Sequence, residues 1–452
     1  MDRGKREPLS LKAVFITMPT SAKGNRRDFI RRSAFTSAGL LAFPSLIPAS
    51  ALGLDGTVAP SNRIALGAVG FNMGMTNLRN LMGVRGVEIV ALCDVDSQML
   101  AKGSAEAPQA KTFRDWREMF AASKLDAVTA SLPDHTHAAF SIWALNRGVD
   151  VYGEKPLAHH HAESLAIMEA AHRNGRIWQT GSWQRSVKNF RRAVELVRNG
   201  RIGKIQKVEV GVPHGLTNTK NYKSENRGAP GRPPAQLDYD LWMGPAESRP
   251  YHPKESHYFW RYNLHWGTGQ VGNWFTHHGD IALWGLDLDK PNRGPSEIRT
   301  TASYITDPEG CWDVPAEFTI DADLPGGIEL KTSTKMREGT CWYGEKGWIY
   351  VNRGKTEASD PKILNSTIED SEWHAPGNTE HWRDFVECVR TRESTVAHVE
   401  AAHSAFTIGA LGLISMRLNN RKLQWNPGSQ TVVNDAEADA LRTRRWRAGW
   451  TS

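Results

Sequence analysis

The chain of 452 residues is too long for one ordinary hydrophobic core and long enough for two domains. With 40% hydrophobic and 23% charged residues and a mean hydropathy of -0.49, its composition excludes a disordered chain and a polytopic membrane protein. The net charge of +7 is concentrated at one end: residues 1–51 hold 9 Lys+Arg against 3 Asp+Glu, which leaves 47 against 46 for the remainder and implies no nucleic-acid surface.

In chain order, the first predicted element is an address. Asn25-Arg26-Arg27-Asp28-Phe29-Ile30-Arg31 precedes an uncharged stretch, Ser33 to Ile47, and the small-residue site Ala49-Ser50-Ala51. Residues 1–51 resemble a twin-arginine signal peptide, with Asn for the usual Ser or Thr and Ile for the usual Leu. The apolar stretch is too short, and too rich in Ser, Thr and Pro, to span a bilayer as a stable helix of ~20 apolar residues. Such a signal implies the twin-arginine translocase as a partner in transit and a periplasmic or otherwise exported location. That route carries folded proteins, so a cofactor loaded beforehand is expected.

Residues 60–182 read as a nucleotide-binding domain. Arg63 to Gly70 is a buried strand running into a turn, Met75 to Met82 the following helix, and Val87 to Cys93 a second strand ending at Asp94, twenty positions after Gly74. That is the spacing at which a carboxylate meets the adenosine ribose in dinucleotide folds; Asp94 would accept from the ribose hydroxyls and repel a 2'-phosphate, favouring NAD over NADP. The glycine pattern is irregular: the usual motif would place Gly at Ala68 and Met73, and only Gly70 is in register. The strand Asp126 to Leu132, a helix from His135 to Asn146 and the strand Val149 to Tyr152 continue the alternation, which predicts a parallel doubly wound sheet. Pro133 to His137 and Gly153-Glu154-Lys155-Pro156 then fall at its carboxyl edge, where a lysine beside a nicotinamide can touch a reacting hydroxyl.

At Glu154-Lys155-Pro156 the chain resembles the glucose-fructose oxidoreductase / inositol dehydrogenase (Gfo/Idh/MocA) family, in an exported branch. The resemblance continues through Gln184-Arg185-Ser186, Ile202 to Ile205, Leu237 to Pro245, His277-His278-Gly279-Asp280, Gly347 to Val351 and His381 to Arg392. It implies an α/β chain: an N-terminal Rossmann doubly wound parallel sheet, then an α+β substrate and oligomerisation domain (183–425) with a large open, mainly antiparallel sheet, and a C-terminal tail (426–452) packing back. A homo-oligomer is implied as well. The strand-like runs Ser296 to Thr306, Ala316 to Asp323, Gly327 to Lys335 and Trp348 to Asn352 agree independently, and the apolar helix Ala397 to Leu418 is expected to pack across both domains.

Catalysis in the family uses the E-K-P lysine and a histidine, which match Lys155 and His277. Asn273 stands where the family has Asp, and losing that charge is expected to lower the pKa of His277. Asp280 shares a helix face with His277 and would support it. The implied cofactor contacts are Gly70, Phe71, Asn72, Met73, Asp94, Leu132, Pro133, His137, Glu154, Lys155 and Gln184, and the substrate contacts Trp183, Arg185, Asn273, Trp274 and His278. Consecutive His159-His160-His161 cannot all face one ion, and Cys93, Cys311, Cys341 and Cys388 lack a close pair, so neither a metal nor a disulfide framework is expected. The Gly- and Pro-rich stretch Lys220 to Gln236 is a linker, a flap over substrate or an arm to a neighbouring subunit.

Three functions fit these residues. The first is an oxidoreductase moving hydride between NAD and a hydroxyl or carbonyl of a sugar-like molecule. The second is a redox-neutral glycosidase or lyase that proceeds through a 3-keto sugar with bound NAD. The third is a non-catalytic, NAD-stabilised sugar-binding protein.

Overall fold

The computed structural model describes residues 58–59, 62–221, 228–304 and 307–450. The expected twin-arginine signal, residues 1–51, lies outside them. Residues from Pro60 onward form one compact unit.

Six strands, β1 (Ile64–Val69), β2 (Val87–Cys93), β3 (Lys111–Phe113), β4 (Ala127–Ala130), β5 (Asp150–Gly153) and β6 (Trp178–Thr180), make a sheet ordered β3-β2-β1-β4-β5-β6. Every pair is parallel. β4 and β5 are buried along their whole length, the pattern of strands covered by helices on both faces. The strand order reverses between β1 and β4, which opens a crevice at the carboxyl edge. Asp96 and Asp115 start the helices Ser97–Glu106 and Trp116–Ala122 by accepting from backbone N–H groups of the first turn.

The second sheet contains β7 (Ile205–Gly211), β8 (Glu297–Tyr304), β9 (Pro315–Leu324), β10 (Ile328–Ser333), β11 (Gly339–Gly344), β12 (Gly347–Val351), β13 (Thr356–Ala358), β14 (Leu423–Asn426) and β15 (Thr431–Val432). Its order is β13-β12-β11-β7-β10-β9-β8-β14-β15, antiparallel except for the β7–β10 pair. Along β9, Ala316, Phe318, Ile320, Ala322 and Leu324 point into the core, while Glu317, Thr319, Asp321 and Asp323 stand on the more open face. The helices Lys188–Arg198, Thr276–Gly285 and Val399–Arg417 cover the apolar face.

The helix Val399–Arg417 is long and apolar enough to cross a membrane, yet 94% of its apolar window is buried inside the protein. It is apolar all round because it packs on β8 and the helix Thr276–Gly285 on one side and on the helix His161–Arg173 on the other, joining the domains. The expected tail boundary at residue 426 falls inside the β14–β15 hairpin, whose two strands are hydrogen-bonded. The last described residues lie against the first sheet's helices: Arg444 and Trp446 both reach Glu163 Oε1, at 2.6 and 2.7 Å, and the Trp450 ring lies 5.8 Å from that of Trp116.

Candidate functional site

The crevice holds two adjoining clefts. In the first, β1 runs into Gly70 at φ +85°, where a Cβ would stand 2.2 Å from the Ser131 carbonyl oxygen, and a Cβ on Gly74 would stand 2.1 Å from the Gly70 oxygen. The two glycines allow the turn to press against the end of β4. Gly74, one place beyond the expected register, thereby performs the close-packing role. No side chain caps the following helix, Met75–Met82, whose N-terminus faces the turn, with Thr76 N–H donating to Met73 O at 3.3 Å. At the end of β2, Asp94 accepts from Phe71 N–H (2.8 Å) and Asp96 N–H (2.9 Å). This cleft, about 140 Å³, is lined by Gly70, Phe71, Asn72, Met73, Asp94, Leu132 and Pro133. Leu237, Trp242, Trp260 and Arg261 close it from the other domain. Leu237 follows the Gly- and Pro-rich stretch, whose last residue is anchored here by Ser97 N–H donating to Gln236 O at 2.9 Å.

A glycine cradle, an uncapped helix start and a carboxylate at the end of β2 are the features that hold a dinucleotide, so the residues fit NAD. Burial pushes the Asp94 carboxyl up to about 6, against the two N–H donors that lower it. NAD affinity is therefore expected to fall as pH drops through about 6, because the protonated carboxyl no longer accepts from both ribose hydroxyls. Asp94→Ala should weaken NAD by roughly 10- to 100-fold at pH 7, the loss of a hydrogen bond to a charged acceptor, and abolish that pH dependence. Calorimetric titration of NAD between pH 5 and 8 reads both effects.

The second cleft, about 630 Å³, shares Met73, Ser131, Leu132, Trp260 and Arg261 with the first. Glu154 and Lys155 enter it from the end of β5. Asn273, Trp274 and His277 enter it from a π-helical turn, Val271–Phe275, running into the helix Thr276–Gly285. Gly272 permits that turn, since a Cβ there would lie 1.8 Å from Thr268 Oγ1. Lys155 Nζ donates to Asn273 Oδ1 at 2.5 Å, and Asn273 Nδ2 donates to Gln270 Oε1 at 3.2 Å. Asn273 thus engages Lys155 through its side chain and makes no hydrogen bond to the His277 ring. Burial lowers Lys155 to about 8, with Glu154 opposing the shift.

His277 is 5% exposed, and Trp274 meets its ring edge-on at 5.8 Å. Neither ring nitrogen has a hydrogen-bond partner among the described residues, and Nδ1 is fully buried. Burial, then the Lys155 and Arg353 charges, hold the imidazole well below its ordinary pKa. It is neutral at pH 7. The expected fall in its pKa is present, but those are its causes.

Several predicted residues stand behind the clefts. His137 ties two loops together, Nδ1 to Pro156 O at 2.6 Å and Nε2 to Leu132 O at 2.8 Å. Gln184, fully buried, donates to His277 O at 3.3 Å. His278 is also fully buried, stacked on Trp274 at 5.7 Å, and its Nε2 lies 3.8 Å from Glu338. Arg185, expected to touch substrate, does not line the cleft: it is 1% exposed and its guanidinium is taken up by Asp280, Asp289 and Val396 O. Asp280 accordingly pairs with Arg185 and does not support His277. His159 is bonded to Gly267 O and His160, and His161 to Gln430. Away from both clefts, His252, Glu309 and Cys311 bring three ligand-type atoms within 4.8 Å, a grouping the sequence reading did not anticipate; the Lys254 ammonium lies 2.5 Å from Glu309.

Sequence reading missed Tyr258, Arg261 and Arg353, all of which line the second cleft. Only the density of aromatic residues in Tyr258 to Tyr262 hinted at them. The Arg261 guanidinium lies over Trp260 and Tyr258, at 4.3 and 4.6 Å from the ring centroids. Asp134 also enters the cleft, its Oδ2 accepting from Thr268 Oγ1 at 2.6 Å.

Residues 64–182 match a family profile described as an oxidoreductase family, NAD-binding Rossmann fold, and residues 184–452 match its companion, the C-terminal alpha/beta domain. The chain belongs to the Gfo/Idh/MocA oxidoreductase family. Among its relatives, inositol 2-dehydrogenase of Salmonella typhimurium is 33% identical over 141 residues, 30% of this chain and 42% of that protein. The 4-carboxy-2-hydroxymuconate-6-semialdehyde dehydrogenase of Sphingobium sp. is 28% identical over 186 residues, 41% of this chain and 56% of that protein. The chain thus matches about half the length of these curated relatives or less.

Solved structures of similar fold extend over far more of this Gfo/Idh/MocA chain. The WlbA dehydrogenase of Bordetella pertussis, in complex with NADH and UDP-GlcNAcA, has a TM-score of 0.60 at 16% identity and covers 80% of this chain and 98% of its own. The aldose-aldose oxidoreductase of Caulobacter crescentus, complexed with glycerol, has a TM-score of 0.57 at 15% identity and covers 80% and 99%.

Proposed function

We propose that this protein oxidises a hydroxyl of a sugar or polyol, or reduces the matching carbonyl, with tightly held NAD. The observation that carries the reading is the pairing, in one cleft beside the nucleotide cradle, of Lys155 with a buried His277 whose ring nitrogens have no partner among the described residues. Bound NAD supplies a hydride acceptor for the carbon that bears the hydroxyl. Neutral His277 takes the hydroxyl proton, and the Lys155 ammonium donates a hydrogen bond to the same oxygen, stabilising the negative charge that develops there. Asn273 holds the ammonium in place. Trp260 and Trp274 supply flat apolar walls suited to sugar C–H faces. The inositol 2-dehydrogenase relatives support the substrate class. The test is to mix the NAD-loaded protein with a panel of sugars and polyols, follow reduced nicotinamide by absorbance and identify the products. Oxidised sugar supports the reading; an eliminated aglycone with no net reduction supports the redox-neutral alternative. The twin-arginine-like segment favours that alternative, because an exported enzyme meets little free nicotinamide.

Asn273 offers a pH test. If the Lys155 ammonium is required, the rate should decline as pH rises through about 8. Asn273→Asp places a carboxylate beside that ammonium, favours its charged form and should move the declining limb upward by about 1 to 3 pH units. A pH–rate profile with an unmoved limb would remove Lys155 from this role.

The reading includes export through the twin-arginine translocase to the periplasm or beyond, and assembly into a homo-oligomer through the polar face of the nine-stranded sheet. Replacing Arg26-Arg27 by Lys-Lys should hold the precursor, with its signal uncleaved, in the cytoplasm. Cell fractionation and immunoblotting measure this, and analytical ultracentrifugation measures the assembly.

A further inference from the structure

We propose that the cleft selects a sugar carrying a carboxylate and that Arg353 recognises it; this rests on the reading of the cleft as a site of sugar oxidation. Arg353 lies two residues past β12 and lines the second cleft together with Lys155 and His277. Its guanidinium lies over two indoles, 4.8 Å from the Trp183 centroid and 4.5 Å from that of Trp274. Nε donates to Gln184 Oε1 at 3.1 Å.

These three contacts fix the position of the guanidinium, yet its two terminal nitrogens have no hydrogen-bond or ion-pair partner among the described residues. The other arginines near the cleft differ. Arg185 is saturated by two carboxylates, and Arg261 donates to Tyr258 O at 3.0 Å and to Met73 Sδ at 3.3 Å. Arg353 is exposed overall, so its terminal fork is open to solvent at the edge of the cleft it lines, and a guanidinium held there by its Nε is preorganised for an oxyanion. A carboxylate is the better match than a phosphate ester, because its two coplanar oxygens meet two parallel N–H donors of one fork. Lys155 adds positive charge to a cleft that Asp134 and Glu154 also line, with the Glu338 charge acting on Arg353, and a neutral sugar offers the Arg353 fork only hydroxyl acceptors, which bond a guanidinium more weakly than a carboxylate does.

The test titrates the NAD-loaded protein with matched pairs, D-glucose against D-glucuronate and D-galactose against D-galacturonate, and with D-glucose 6-phosphate. Tryptophan fluorescence reads binding, since Trp183 and Trp274 flank the guanidinium, and absorbance reads nicotinamide reduction. At least one uronate is expected to bind about tenfold or more tighter than its neutral partner, as hydrogen bonding to a charged group implies. Arg353→Ala should bring that ratio toward one, and Arg353→Lys, which keeps the charge but not the fork, should leave it between. Equal affinities within both pairs, no binding of either uronate, or a preference that survives Arg353→Ala would overturn the proposal. Tightest binding of the phosphate through Arg353 would overturn the assignment to a carboxylate. Arg353-dependent uronate binding without nicotinamide reduction would count against the oxidoreductase reading alone, whereas reduction by neutral sugars bound as tightly as uronates would count against this inference alone.

Discussion

Arg185→Ala is expected to destabilise the fold by about 3–5 kcal/mol, the scale for removing one partner of a buried charge cluster. The guanidinium is 1% exposed and donates to both oxygens of Asp280 at 2.8 Å, to Asp289 at 2.9 Å and to Val396 O at 3.2 Å. Truncation would leave two carboxylates in the core, where water cannot replace the four lost hydrogen bonds. Asp289 shows the linkage: although burial pushes its carboxyl up, the Arg185 charge outweighs that and holds it below the usual carboxylate range. A depressed carboxylate pKa contributes stability above the unfolded value and loses it as pH falls. The gap between the native protein and the variant should therefore be full at pH 7, begin to narrow as Asp280 protonates, since burial raises its carboxyl despite Arg185, and go on narrowing below about 4 as Asp289 does. Urea unfolding at pH 7 and pH 4 measures both points, and a gap under about 1 kcal/mol at pH 7 would mean that the cluster relaxes or hydrates once the guanidinium is gone. Because Arg185 pins the turn Trp183–Ser186 to the helix Thr276–Gly285, the variant should also loosen Trp183 and His277.

The second large effect lies in turnover. Lys155→Ala and His277→Ala are each expected to reduce kcat by about 100-fold or more while NAD remains bound, since a positioned proton-transfer group contributes on that scale. Both side chains line the second cleft and neither lies in the cleft that holds Asp94, so nucleotide binding and chemistry should separate. The double variant should lose much less than the product of the two single losses, because both groups act on one hydroxyl. Turnover with equilibrium binding of NAD on each variant decides this. Full activity in His277→Ala would return the proton to Lys155 or to solvent, since Asp280 is held by Arg185 and is not free to take it.

How much of the site was legible depended on whether its signal was local. The alternation of strands and helices, the spacing from Gly74 to Asp94, the Glu154-Lys155-Pro156 strand end and the pair His277-His278 can all be read within a few turns of chain, because backbone periodicity and strand-end position are local properties. They determined the Rossmann sheet, the NAD cleft and the two residues most suited to the chemistry. The role of each remaining charge was not local. Arg185 follows Trp183 and looked like a substrate contact, yet carboxylates 95 and 104 positions away capture it. Arg353, with no motif around it, reaches the cleft because Gln184, 169 positions earlier, holds its Nε. Asn273, read as a lost partner of His277, became the partner of Lys155, 118 positions away, once the π-helical turn aimed its side chain across the cleft. Thus the sequence by itself determined the two sheets, the cofactor class and the pair of residues proposed for catalysis. Only the tertiary structure decided which cations are neutralised in the core and which line the cleft, because a charge at either place obeys the same composition and periodicity and differs only in the distant groups packed against it.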